Sequence, residues 1–280
     1  MFKLKNQGIG DSWYFVSDDT VHMFFLTKPI DLEGDGWEIG HAVSKDLIDW
    51  DYLGYALTRG PEGAWDGECL ATGSVIERDD KYWMAFTAFQ KGGQVQRIGM
   101  AVSDDLTTWR KLPENPVTQP EPPHYEQMST GQRPQSHWRD PFLLDNGDAV
   151  YQFICASRNE GDVKTRGTAA LTRSTDMVHW EILAPLEHDR IAEEMEVPQV
   201  YQIEGRWYLV FCTQSPLLSP DFAERFENEA PRRSNFSMVG SSALGPFHIH
   251  GTGQIVHHAN DEYFYAAQLV NLREKWYLMA

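Results

Sequence analysis

Apolar residues in this chain come in short runs that pair across polar turns. Trp13 to Leu26 turns at Asp18-Asp19, Ser74 to Phe86 at Asp79-Asp80, and Phe142 to Phe153 at Asn146-Gly147. Gln199 to Phe211 turns at Glu204-Gly205, and Tyr263 to Leu278 at Arg273-Glu274. The flanking residues are β-branched and aromatic, and sustained helical periodicity is nearly absent, so each segment is predicted to be a β-hairpin. A second unit recurs between the hairpins. Gly40-His41-Ala42-Val43-Ser44-Lys45-Asp46-Leu47-Ile48-Asp49-Trp50 returns from Gly99 to Trp109 and from Ala170 to Trp180, and in degenerate form from Val239 to Phe247. Each copy reads as strand, Ser/Asp turn, strand, with an aromatic residue closing the turn.

Five hairpins alternating with four such units predict an all-β fold, a five-bladed propeller of four-stranded blades, as one domain over residues 1–280. The fifth blade has only its first two strands before Ala280 and is expected to be incomplete. A β-sandwich or barrel has equally short strands but does not account for the recurring Ala-Val-Ser-x-Asp-Leu. Two connections are too long to be mere turns and are expected to wall a site. Thr118 to Trp138 carries Pro120, Pro122, Pro123 and Pro134, and Gln214 to Asn235 is expected to hold a short helix around Phe222 to Phe226.

Superposing the hairpins by their turns brings Asp11, Thr72, Asp140, Glu196 and Ala266 to within about one residue of a common position. In a propeller that position is the start of the innermost strand, facing the central channel, so three blades deliver a carboxylate to one funnel. Like charges held together raise each other's pKa, and grouped carboxylates are the equipment of glycoside cleavage. Each acid also has a structural alternative: Asp11 as a turn cap, Asp140 in a surface pair with Arg139, and Glu196 as the end of a solvated acidic run, Glu193-Glu194-Met195-Glu196. Trp13, Trp65, Asp66 and Trp138 are candidate sugar-stacking or hydroxyl-binding groups, with blade core as their alternative.

Composition narrows the partners. A formal net charge of −17 disfavours nucleic acid and anionic membrane, which require Lys and Arg. Cys69, Cys155 and Cys212 lie far apart without metal spacing and are expected to be reduced and buried. The ten histidines show no ligand spacing, so neither a metal nor another cofactor is expected. The first residues lack an apolar leader and no run is long enough to span a bilayer, so a cytoplasmic location is expected, and the grouped carboxylates point to a small carbohydrate as the partner. Oligomeric state is left open.

These motifs resemble those of glycoside hydrolase families 32 and 68, the β-fructofuranosidases and levansucrases, which share a five-bladed propeller. Arg139-Asp140-Pro141 resembles their Arg-Asp-Pro motif, and Glu194-Met195-Glu196-Val197-Pro198-Gln199 the levansucrase acid/base segment. Asp11-Ser12-Trp13 is similar to the nucleophile motif, Thr72-Gly73-Ser74 to a second-blade Ser-Gly-Ser, and Phe264-Tyr265-Ala266-Ala267-Gln268 to the invertase Phe-Tyr-Ala-x-Gln. The sequence departs from the families at Gly10 and Ala71, where aromatic residues are usual, lacks Asn-Asp-Pro-Asn-Gly around Asp11, and lacks the invertase β-sandwich.

The resemblance implies Asp11 as nucleophile, Asp140 as transition-state stabiliser and Glu196 as acid/base. It implies that Glu194 touches sugar hydroxyls, and Trp13, Trp65, Asp66, Thr72, Trp138, Arg139 and Gln268 are the further candidate substrate contacts. It further implies a protonated Glu196, an Asp11 kept ionised by backbone groups or Ser12, and an Asp140 kept ionised by Arg139. The activity expected is retaining hydrolysis of, or fructosyl transfer from, β-fructofuranosides such as sucrose or fructans. Another furanosidase of the same propeller, an arabinanase or arabinofuranosidase that inverts, is one alternative. A non-catalytic carbohydrate-binding propeller is another.

Overall fold

The structure, a computed structural model, describes all residues except 1, 91, 93, 94, 228–231 and 257–264. Four four-stranded antiparallel sheets follow one another along the chain. The first comprises β1 (Gln7–Ser17), β2 (Thr20–Pro29), β3 (Glu38–Ser44) and β4 (Asp51–Leu57), and the second β5 (Cys69–Arg78), β6 (Lys81–Phe89), β7 (Arg97–Ser103) and β8 (Trp109–Lys111). The third comprises β9 (Trp138–Asp145), β10 (Val150–Ser157), β11 (Gly167–Ser174) and β12 (Glu181–Ile182). The fourth is β13 (Glu196–Ile203), β14 (Arg206–Gln214), β15 (Arg233–Gly240) and β16 (Phe247–His248), and a two-stranded sheet of β17 (Gln268–Leu272) and β18 (Lys275–Met279) follows. This is the expected propeller with a two-stranded fifth blade. The expected start of the last hairpin, Tyr263, lies outside the described residues.

Local chemistry explains both repeats. Four hairpins turn on two residues with positive φ: Asp18 and Asp19, Asp79 and Asp80, Glu204 and Gly205, Arg273 and Glu274. Such turns match the twist of the strands they join. In the Ser-x-Asp turn, Ser44 Oγ accepts from the Asp46 and Leu47 amides (3.2 and 2.9 Å), and Asp46 Oδ1 accepts from Ile48 and Asp49 (both 2.9 Å). Leu47 then takes φ 66°, and the Trp50 indole closes the turn on its carbonyl at 3.3 Å. The same closure joins Trp109 to Leu106 and Trp180 to Met177.

The core lies between blades. Trp13, Phe24, Leu70 and Phe86 pack the first blade on the second, Met100, Tyr125, Trp138 and Ile154 the second on the third, and Phe153, Val200 and Phe211 the third on the fourth. Val21, Val270 and Leu272 pack β17 on the first blade. The innermost strands β1, β5, β9 and β13 follow one another, and β17 touches β1. From β13, Gln199 Nε2 and Tyr201 Oη donate to the carbonyls of Ala267 and Leu269 (3.1 and 3.2 Å), completing the ring. The expected helix is a single turn, Pro220–Ala223. All three cysteines are free and buried. No helix among the described residues is long and apolar enough to cross a membrane.

Candidate active site

Every innermost strand of the four complete blades breaks register near its start. β1 shifts between Ile9 and Ser12, and β5 between Ala71 and Gly73. In β9 the pairing jumps from Arg139–Cys155 to Phe142–Phe153, and in β13 from Glu196–Cys212 to Gln199–Val210. These are β-bulges, which add a residue to one strand and re-aim its side chains. Aligned on them, Glu196 stands just before the bulge, Asp140 within it, and Asp11 one residue later. The three acids therefore reach the funnel from successive positions around one repeated irregularity. Asp140, Val197 and Ala266 take positive φ of 57°, 50° and 54° there. For a β-branched residue such as Val197 this conformation is costly, and it aims the Val197 amide at Asp140 Oδ2, 3.0 Å away.

A chain of hydrogen bonds runs round the funnel from blade to blade. Thr72 Oγ1 donates to Asp11 Oδ2 (3.1 Å), and the carbonyl of Thr72 accepts from Thr87 Oγ1 (3.0 Å). Thr87 Oγ1 in turn accepts from the amide of Asp140 (2.9 Å). Asp11 is reachable from solvent but sunk among protein groups, and that desolvation raises its carboxyl despite Thr72 and Arg139; the charge of Glu196 adds to the rise. The side-chain donor to Asp11 is Thr72, and Ser12 Oγ pairs with the Tyr14 hydroxyl at 2.8 Å.

Asp140 is buried, and desolvation pushes its carboxyl up to about 7, with Asp11 and Glu196 adding to the rise against Arg139 and the Val197 amide. Glu196 goes the other way. Burial disfavours its charge, but Arg139, the Tyr265 hydroxyl and Arg133 together hold it below the ordinary glutamate range. Arg139 Nη2 lies 2.8 Å and Arg133 Nη1 3.0 Å from Glu196 Oε1, and Tyr265 donates to Oε2. The electrostatics thus run against the expected protonation: the Glu196 carboxyl is held low, while those of Asp11 and Asp140 are pushed up. The physical reason is a second cation on Glu196 that the sequence pattern does not reveal.

The remaining candidates divide. Arg139 and Glu194 are buried and ion-paired to each other, with Arg139 Nε 3.6 Å from Asp140 Oδ2 and Arg133 Nη1 3.0 Å from Glu194 Oε2. Both brace the carboxylates. Thr72, also buried, orients Asp11. Trp13 and Trp138 are wholly buried, which overturns their reading as sugar platforms. Trp13 stacks on Phe24 with ring centres 6.3 Å apart, and the Trp138 indole donates to Thr118 Oγ1 at 3.1 Å. Trp65 tilts onto Phe86 in the same core at 5.9 Å. Asp66 is buried against Lys111, so its carboxylate braces a loop between blades. Gln268 opens β17 and is buried, and no side-chain bond from it to the three acids is found among the described residues. Phe264 of the same motif lies outside the described residues.

Three partners escaped the sequence reading. Thr87 carried a signal, a lone hydroxyl in the apolar run Met84-Ala85-Phe86-Thr87-Ala88-Phe89. Tyr265 sits inside the Phe264-Tyr265-Ala266-Ala267-Gln268 motif. Arg133, in a Pro-containing loop, carried none.

Comparison with known proteins gives this arrangement a family. The sequence matches the description "Glycosyl hydrolases family 32 N-terminal domain" over residues 12–280. It is 28% identical over 190 residues to a sucrose-6-phosphate hydrolase of Staphylococcus xylosus, an alignment covering 66% of this chain and 35% of that protein. It is 24% identical over 202 residues to a sucrose-6-phosphate hydrolase of Bacillus subtilis, covering 69% of this chain and 38% of that protein. The chain thus spans well under half the length of these relatives. Its fold is similar to an inulosucrase from Halalkalicoccus jeotgali bound to kestose (TM-score 0.75, 22% identity, 95% of this chain and 73% of that one). It is similar also to a Bombyx mori β-fructofuranosidase (TM-score 0.69, 22% identity, 96% and 54%). The chain belongs to family 32 of the glycosyl hydrolases, within the family of its N-terminal domains.

Proposed function

We propose that this chain, as a single propeller over residues 1–280, is the catalytic domain of a retaining glycoside hydrolase that cleaves β-fructofuranosides. The observation that carries the reading is the convergence of Asp11, Asp140 and Glu196 from three blades around one repeated bulge. Asp11 attacks the anomeric carbon, the glycosidic C–O bond breaks, and Glu196 gives its proton to the departing oxygen. Water then attacks the anomeric carbon of the ester, Glu196 takes the water proton, and Asp11 is released. Asp140 accepts hydrogen bonds from sugar hydroxyls and faces the positive charge that develops on the ring.

This chemistry requires a proton on Glu196 and none on Asp11, whereas their surroundings lower the Glu196 carboxyl and raise that of Asp11. Substrate supplies a physical route between the two. Hydroxyls that donate to Asp140 favour its ionised form, lowering a carboxyl that burial had raised, and free a proton in a funnel where the three acids titrate as a coupled set. The relatives named for sucrose 6-phosphate support including phosphorylated sucrose among the candidate substrates.

The test is sugar release from sucrose, sucrose 6-phosphate, inulin, levan and arabinan by the wild type and Glu196→Gln. Fructose release that falls about 10²–10⁴-fold in the variant supports the assignment. Arabinose release would move the chain to another furanosidase activity. Glycan binding without release from any of the five would leave a non-catalytic binding domain.

A further inference from the structure

We propose that Arg133 is a positioning residue that controls the protonation of Glu196 by docking on its carboxylate and withdrawing from it. The idea rests on the hydrolase reading above for its catalytic meaning and on geometry for its substance. Arg133 comes from the long connection into β9, and its Nη1 bridges Glu194 Oε2 and Glu196 Oε1, each at 3.0 Å. Its side chain is 32% exposed, whereas that of Arg139, the other cation on Glu196, is 9% exposed. Arg139 is locked between Glu194, Glu196 and Asp140, so Arg133 is the cation with open solvent to move into.

The backbone beside Arg133 is built to deliver it. Glu193, buried next to Glu194, accepts from the amide of Gln132 and from Lys164 Nζ at 3.2 Å. A Cβ at Gly131 would meet that same carboxylate and force it to shift, so the close approach here is made with glycine. The Gly131 amide donates to Ser129 Oγ (3.1 Å), the Ser129 amide to the Gln135 carbonyl (2.9 Å), and the His137 ring meets the Arg133 carbonyl at 3.2 Å. With the main chain pinned on both sides, the motion available is a rotation of the Arg133 side chain. Its two positions are a double ion pair over Glu194 and Glu196, or the mouth of the funnel.

The other groups facing Glu196 do not offer this choice. Tyr265 donates to Oε2 from the segment before β17, and the Cys212 thiol contacts the Glu196 carbonyl from β14 at 3.6 Å. Asp11, Asp140 and Glu194 are acids, and the buried His137 is pushed down to about 3 by desolvation, with Arg139 next, and stays neutral. Removing Arg133 thus takes away, among the described residues, the more exposed positive charge on Glu196, and a carboxylate that loses a cation binds its proton more tightly.

The experiment is a titration of the Glu196 carboxyl by infrared difference spectroscopy without substrate, in the wild type, Arg133→Gln and Arg133→Lys, using Glu196→Gln to assign the band. The alkaline limb of kcat/KM on the best fructoside is measured in parallel. In Arg133→Gln both the titration and the limb are expected to move up by about one pH unit. Arg133→Lys, which keeps the charge but not the fork, should stay within about half of that. Glu196 titrating alike in wild type and Arg133→Gln overturns the proposal whatever the sugar assay gives. An Arg133→Lys titration displaced as far as that of Arg133→Gln overturns the role of charge. A shifted titration in a protein that releases no sugar supports the coupling and overturns the hydrolase reading instead.

Discussion

Thr72 shows how a single hydroxyl is committed before any sugar arrives. Its Oγ1 donates to Asp11 Oδ2 at 3.1 Å, while its carbonyl accepts from Thr87, which in turn accepts from the amide of Asp140. A hydrogen bond to a charged group is worth about 1.5–3 kcal/mol, and 1.36 kcal/mol is tenfold in rate. Thr72→Val, close in shape, is therefore expected to lower kcat roughly tenfold or more with KM little changed. It should also raise the acidic limb of the pH profile, because Asp11 loses a bond that favours its ionised form. Steady-state kinetics between pH 4 and 8 check both, and an unmoved acidic limb would show that Thr72 does not hold Asp11. Residue identity at Asp11, Asp140 and Glu196 was legible in the sequence because carboxylates recur at one register. Their charge states were not, since Arg133 is a neighbour of Glu196 only in space.

At the scale of elements, the hairpins and Ser-x-Asp turns were readable because their chemistry is local. Asp46, Asp105 and Asp176 each cap the turn they sit in, and the tryptophan that follows closes it. The bulges were not readable, because an extra residue in a strand shows only against its partner strand. The tryptophans show the same limit: sequence offered Trp13 and Trp138 equally to sugar and to core. Both are fully buried between blades, so the prediction for Trp138→Ala is a loss of about 3–5 kcal/mol in urea unfolding. A sugar platform at that position would behave oppositely, with stability kept and KM raised.

Across the whole molecule, stability and site chemistry are linked through protons. His22, His41, His137 and His188 all have depressed pKa values from burial, with His41 and His137 pushed down to about 3 and His188 to about 4. Between these values and the ordinary 6.5 the unfolded chain binds more protons, so their contribution is present above pH 6.5 and is lost as pH falls. Asp140, raised to about 7, and Asp11, also raised, act in the opposite sense, because there the folded protein holds the extra proton as pH falls below 7. The four histidines outnumber the two acids, and the urea midpoint is expected to fall from pH 7 to pH 5. Asp140→Asn removes an opposing group, so its midpoint should fall more steeply over the same interval; an equal or shallower fall would refute this linkage.

The sequence by itself determined the number of blades, the turns that build them, the blade from which each carboxylate comes and the family. All of these follow from short-range patterns repeated along the chain or from motifs contiguous in it. Tertiary structure alone decided that Trp13 and Trp138 belong to the core, that Thr72 and Thr87 tie Asp11 to Asp140, and that Arg139, Tyr265 and Arg133 hold the Glu196 carboxyl low. Burial and electrostatic interaction depend on distance in space, and the cation nearest to Glu196 from the long loop, Arg133, lies 63 residues away in the chain.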